Sequence, residues 1–235
     1  MALQGTAFLA IWHDIEPALL DDFHRWHTEE HMPERVQTPG IVVGSRYWDP
    51  QAPEQRCFTL YEATAFEVFA SEGYFMTANA RSPWTQRVHP GFRHFTRAPC
   101  HLACTRGPGS GGGRASLRLG FVPTGPAEGM APADLFRMRV RALAEDAMAA
   151  PGVTGAHVGL KGQVARRPLS ASALSLRPGA DAFDAVLLLE GISRAALAPV
   201  ADQLAATLAG WRDAVAGCTT GLYDLAYRLP ASTAP

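Results

Sequence analysis

The sequence predicts an α+β chain of two tandem ferredoxin-like units, each ordered βαββαβ, whose sheets close into one intrachain α/β barrel. Three observations carry this expectation. A glycine-rich run, GPGSGGG at 107–113, divides the 235 residues into halves of similar length. Both halves alternate strand-period and helix-period hydrophobic patterns in the same order. The dipeptide that opens the second strand, Pro39-Gly40 before Ile41, recurs as Pro151-Gly152 before Val153.

The elements follow in order. Thr6–Ile15 reads as a strand, Ala18–Gln37 as a helix, and Ile41–Trp48 as a strand bounded by Pro39-Gly40 and Pro50. Cys57–Ala63 is a third strand, a second helix runs from about Ala65 to Val88 with a break near Pro83, and Phe92–Arg97 is a fourth strand. The second half repeats this with strand Ser116–Pro123, helix Ala133–Ala149 and strand Val153–Leu160. After a polar, Pro-containing stretch come strand Ala182–Glu190, helix Ala195–Val215 and strand Thr220–Leu229. Trp84 in the second helix of the first half is echoed by Trp211. The domain reading is a repeat at 1–106, a flexible glycine-rich linker at 107–114 and a repeat at 115–235. Two such sheets packed face to face leave no exposed edge.

Composition removes several function classes. With 21 basic against 22 acidic side chains and a net charge of -1, there is no electrostatic footprint for nucleic acid or an anionic membrane. No run approaches the ~20 apolar residues of a membrane span. The opening MALQGTAFLAIWHDIE lacks a basic start and a cleavage site, so the expectation is a cytoplasmic protein, monomeric or homodimeric. Cys57, Cys100, Cys104 and Cys218 form no CxxC pair and read as reduced thiols.

The first helix carries the chemistry, since three of the eight histidines fall within Asp22–Glu34. On a helix, Phe23, Trp26, His27, Glu30, His31 and Glu34 share one face. Phe23 and Trp26 belong against the sheet, with His27, Glu30 and His31 beside them as the polar mouth of a pocket. The same groups would be structural if they paired with one another or with backbone where Pro33 restarts the helix. Aligning the Pro-Gly pairs without gaps sets Met138 opposite Trp26, Arg139 opposite His27, Ala142 opposite Glu30 and Leu143 opposite His31. The second helix thus lacks the cluster, which implies one chemically equipped half and one supporting half.

The run Phe23-His24-Arg25-Trp26-His27-Thr28-Glu29-Glu30-His31-Met32-Pro33-Glu34-Arg35, followed by Pro39-Gly40 and a strand, resembles the first helix of EthD-like and stress-responsive members of the dimeric α/β barrel superfamily. The resemblance covers about twenty-five residues. It implies a ligand pocket between helices and sheet, with Trp26 and His31 as pocket residues and His27 beside them. The superfamily includes cofactor-independent monooxygenases, isomerases, cyclases and haem enzymes, among which fold cannot choose.

The residues rank these chemistries. His27-Thr28-Glu29-Glu30-His31 matches the HxxEH arrangement of inverted zinc proteases, which makes a divalent metal on His27 and His31 a minor alternative lacking a third ligand. Haem is a second minor alternative, because the relatives that bind it take the axial His from the C-terminal half, where only His157 is available. The favoured reading needs no cofactor. His31, near its ordinary pKa and oriented by His27 or Glu30, removes a proton from a small oxygenated, in some cases aromatic, compound. Tyr61, His89 and His94 are further ligand-binding candidates. The expected enzyme is an isomerase, lyase, cyclase or cofactor-free monooxygenase, and the alternative is a non-catalytic ligand-binding or stress-associated module.

Overall fold

In the computed structural model, which describes residues 3–79, 82–122, 130–164 and 183–232, the first strand, β1, spans Ala7–Ile15. Its odd-numbered residues Ala7, Leu9, Ile11 and Ile15 pack toward the helices, as alternation along a strand requires. Pro17 opens a short turn, and α1 (Leu20–Trp26) follows with Asp21 and Asp22 in its first turn, where carboxylates complement the helix dipole. The helix then widens into a π turn, His27–His31, before α2 (Met32–Val36). Pro33 lies directly after that turn. A proline inside an α-helix removes a donor and clashes with the preceding turn, and a π turn is one way to absorb both.

β2 (Ile41–Trp48) and β3 (Cys57–Ala63) have the expected boundaries, and β3 pairs antiparallel with both β1 and β2. The expected second helix is instead a 3-10 turn at Phe66–Ala70, α3 (Glu72–Asn79) and α4 (Pro83–Val88). Ser82 caps α4 by accepting from the Thr85 amide, and Pro83 takes a position that needs no donor. β4 runs over Phe92–Arg106, well beyond the expected Arg97. Pro99 suggested an end there, but Cys100–Arg106 gains a partner in β6.

In the second half, β5 is Gly113–Phe121, α5 is Pro132–Ala147, β6 is Val153–Lys161 and β7 is Ala185–Gly191. α6 (Arg194–Ala209) stops earlier than expected, because β8 (Val215–Pro230) begins where the sequence still reads as helix. Trp211 therefore follows α6, whereas Trp84 sits at the start of α4, and the two are not equivalent. The expected strand end at Pro123 and the polar stretch before β7 reach outside the described residues.

Only 107–112 separate β4 from β5. A Cβ on Gly111 would lie 1.9 Å from the Gly191 carbonyl oxygen, so this glycine is required by close backbone approach.

By packing, the described residues form two units. The N-terminal unit takes 4–79, 82–99, 162–164 and 225–232; the second unit takes Leu3, 100–122, 130–161 and 183–224. The long strands β4 and β8 each contribute to both. The hydrogen-bonded strand order is β1-β3-β2-β8-β5-β7-β6-β4, a closed antiparallel barrel. Within each unit the helices cover one face of the sheet over an apolar core. Among the described residues, no helix is long and apolar enough to cross a membrane.

Candidate functional site

The helix brings its cluster to the sheet of the N-terminal unit. Phe23 and Trp26 are buried there, His27 is 3% exposed, and His31 is partly exposed. The His31 ring lies on Trp26 at 4.3 Å between centroids and 5.3 Å from the ring of His27. His24, Arg25 and Glu29 lie nearer solvent, as expected. Glu30 does not orient His31. Its Oε1 accepts from Trp26 Nε1 at 3.0 Å, from Thr85 Oγ1 at 3.2 Å and from Ser82 Oγ, which ties the helix to α4.

The sheet supplies the floor of this layer. His13 on β1, Arg46 on β2, and Thr59 and Tyr61 on β3 are all buried. Arg46 and Thr59 are direct ladder partners, and Tyr61 faces Gly44. Arg46 donates from Nη1 to the His24 carbonyl at 3.3 Å and from Nη2 to Thr28 Oγ1 at 3.0 Å, and it lies against the rings of Phe23 and Tyr227. Three buried polar atoms in this layer have no hydrogen-bond partner: His27 Nδ1, Arg46 Nε and Tyr61 Oη. Buried polar groups are nearly always satisfied, so three together are unusual.

Burial sets the protonation states. Desolvation, then the charge of Arg46, holds His27 well below the ordinary histidine pKa; desolvation, then Arg35, does the same for His31. Desolvation pushes His13 down to about 4, and drives Tyr61 upward. The expected base near its ordinary pKa is therefore corrected: both histidines are neutral at pH 7 and present unprotonated nitrogens.

Of the other expected residues, Tyr61 joins the layer. His89 follows α4, its ring 5.5 Å from that of Phe92, close enough for its charge to weigh on His31. His94 is not brought in. It is exposed on β4 with φ 47, its Nδ1 2.8 Å from Asp14 Oδ2 and its Nε2 3.8 Å from Glu54. There, against burial that raises it, hydrogen bonds from His94, Arg56 and Gln55 hold Asp14 at about 2. A cleft of about 500 Å³ opens beside Pro33, Val36 and Pro39–Ile41, but neither His27 nor His31 lines it.

Sequence reasoning missed His13 and Arg46. Counted from Ile41, strand alternation puts Arg46 on the face away from the helices. A β-bulge between Ile41 and Val43 shifts the register and turns Gly44, Arg46 and Trp48 toward them.

No group of three or more His, Cys, Asp or Glu is placed to hold a metal among the described residues. Haem does not fit the second half either. His157 is 0% exposed, with Nδ1 2.8 Å from Thr105 Oγ1 and Nε2 facing Glu190 Oε1 at 3.3 Å, so its ring is closed off from an axial position.

The second unit shows what the same layer looks like without polarity. Its sheet has the matching features: Gly152 at φ 83 against Gly40 at φ 91, a bulge between Val153 and Gly155, and Glu190 penultimate in β7 as Glu62 is in β3. On this register His13, Arg46, Thr59 and Tyr61 correspond to Leu119, Val158, Leu187 and Leu189, all fully buried in one apolar cluster. The helices need a gap. Met138 is 50% exposed and cannot match buried Trp26. Matching Phe23 to Phe136 and Met32 to Ala144 by burial leaves one extra residue in the N-terminal unit, at the π turn, and sets His27 opposite buried Val140.

No protein-family profile and no curated protein sequence matches the chain. Solved structures do match in fold. An anthrone oxidase-like protein superposes with a TM-score of 0.63 at 11% identity, covering 96% of this chain and 92% of its own. A provisionally assigned monooxygenase from Fusobacterium nucleatum gives 0.59 at 11% identity over 97% and 96%. A chlorite dismutase variant from Candidatus Nitrospira defluvii gives 0.56 at 9% identity over 95% and 92%. The chain has the fold of these α/β barrel proteins.

Proposed function

We propose that the N-terminal unit binds a small oxygenated compound between α1 and its sheet and acts on it by cofactor-independent proton transfer. The observation that carries this reading is the polar layer of His13, His27, Arg46 and Tyr61, where the second unit is aliphatic throughout. In this reading His31 is the base: a C–H proton passes to its free ring nitrogen, and the electron pair left behind spreads onto the adjacent carbonyl oxygen as an enolate. Reprotonation at another carbon makes an isomerase, loss of a leaving group a lyase, attack on a second carbonyl a cyclase, and electron transfer to O₂ a cofactor-free monooxygenase. The fold shared with an anthrone oxidase-like protein supports flat aromatic substrates, and the Trp26…His31-Met32-Pro33 signature supports an EthD-like or stress-responsive relationship. Free thiols at Cys57, Cys100, Cys104 and Cys218 support a reducing compartment such as the cytoplasm.

One observation favours the alternative of binding without turnover. Both histidines are poor bases, since burial and neighbouring arginines oppose their protonation. Deuterium exchange at the acidic methylene of anthrone in D₂O, followed by NMR, separates the two readings. Catalysed exchange that falls by a factor of ~10²–10⁴ in His31→Ala, with the melting temperature unchanged, supports the enzyme. Exchange that survives the substitution removes His31 from the mechanism. A thermal shift with anthrone but no catalysed exchange replaces the enzyme with the binding module.

A further inference from the structure

We infer that Arg46, in the same sheet layer as the unpartnered hydroxyl of Tyr61, is the seat for an anionic oxygen, so that the site favours the ionised over the neutral form of weak acids such as phenols, enols and β-dicarbonyls. This rests on the proposed function and names the substrate class of that site.

The argument starts from an uncompensated charge. Arg46 is 5% exposed, yet no carboxylate among the described residues pairs with it. Its guanidinium donates to two neutral oxygens, the His24 carbonyl and the Thr28 hydroxyl, and its Nε has no partner. A buried guanidinium keeps its charge, and leaving it without a counter-ion is costly. In the second unit Glu190 lies 2.9 Å from Arg114 when that arginine is equally buried. Arg35 adds a second buried guanidinium nearby, donating to Thr77 Oγ1 and lying against the Tyr74 ring. The charges of Arg35 and Arg46 both act on Tyr61, whose buried hydroxyl has no partner. The surrounding imidazoles of His13, His27 and His31 are kept neutral, so they do not exclude an anion by charge of their own. A cation and an unused hydroxyl donor in one dry layer match an oxyanion, which supplies the missing charge and accepts both kinds of donor.

The seat also completes the proposed proton transfer. In that transfer the seat would hold the enolate oxygen formed as His31 takes the proton, and the new anion would raise the basicity of the histidines that burial had lowered.

The test uses 4-nitrophenol, whose phenolate absorbs visible light. Titrated against the full-length protein, it should bind as phenolate at least ~10-fold more tightly than as phenol, since an adjacent cation favours the charged form by at least that factor. Arg46→Met should abolish the preference, Arg46→Lys should retain part of it, and Tyr61→Phe should weaken phenolate binding ~3–10-fold. Arg46→Lys and Tyr61→Phe keep the charge or the ring shape, so they inform even where Arg46→Met does not fold. Binding without a phenolate preference, or a preference that survives Arg46→Met, overturns the anion seat and leaves the proposed site standing. No binding of either form up to millimolar concentration also overturns the seat, and anthrone exchange then judges the proposed function by itself.

Discussion

The two units fill the space between helix and sheet in opposite ways. The second unit places Leu119, Val140, Val158, Leu187 and Leu189 there, a dry aliphatic filling of the kind that stabilises by roughly 1.5–3 kcal/mol per side chain. The N-terminal unit places His13, His27, Arg46, Thr59 and Tyr61 at the same positions, and leaves polar atoms of three of them unsatisfied. Since one βαββαβ unit folds with the apolar filling, the fold itself does not require the polar one. The difference marks stability given up, and such losses concentrate where a protein acts.

The largest break in that comparison should come with acid. His13 has a pKa of about 4 in the folded protein against 6.5 when exposed. Between those values the unfolded chain binds a proton that the folded one does not, so stability is full above pH 6.5 and falls as pH drops toward 4. The loss is about 3 kcal/mol from His13, and the lowered pKa values of His27 and His31 act in the same direction. Urea unfolding at pH 7 and pH 4.5 measures it. His13→Leu, which copies Leu119, should flatten the dependence, and an unaltered pH profile would show that His13 titrates normally.

A smaller effect sits on the roof of the layer. Glu30→Ala strips Trp26, Ser82 and Thr85 of their shared acceptor and should destabilise by ~2 kcal/mol. Its mirror position, Ala142, already lacks an acceptor, so Ala142→Ser should be close to neutral by thermal melting.

The smallest effect has the opposite sign. Tyr61→Phe removes a buried hydroxyl without a partner and should stabilise by ~1 kcal/mol, even as it weakens phenolate binding. Leu189→Tyr places the hydroxyl in the aliphatic layer and should destabilise. If both substitutions shift the melting temperature the same way, the contrast between the units is not one of polarity.

What the sequence reveals depends on where its punctuation falls. β2 and β3 are readable to the residue because Pro39-Gly40, Pro50 and polar turns bound them. β4 and β8 are not, since their length is fixed by strands from distant parts of the chain, and Pro99 locally argues for a stop. His27, His31, Trp26 and Tyr61 are legible from helix and strand period. Arg46 is hidden by the bulge after Ile41, and Glu30 is misread because the side chains that claim it, Ser82 and Thr85, lie more than fifty positions away. Local pattern predicts which face a residue occupies, but the partners that fix its chemistry come from register and tertiary packing.

The π turn at His27–His31 adds one residue to a helix whose counterpart in the second unit has none. The difference between the two layers is therefore partly a matter of spelling length rather than of letters. Deleting Glu29 would restore an unbroken α-helical count and keep Phe23, His27 and Met32 on one face, as Phe136, Val140 and Ala144 are in the second unit. His27 and His31 would then stand three positions apart instead of four, so the meeting of their rings would change although both histidines would still be encoded. Any survey of kindred chains should therefore score this single insertion alongside the residues themselves, because a copy with the right histidines and the wrong count would carry the parts without the arrangement.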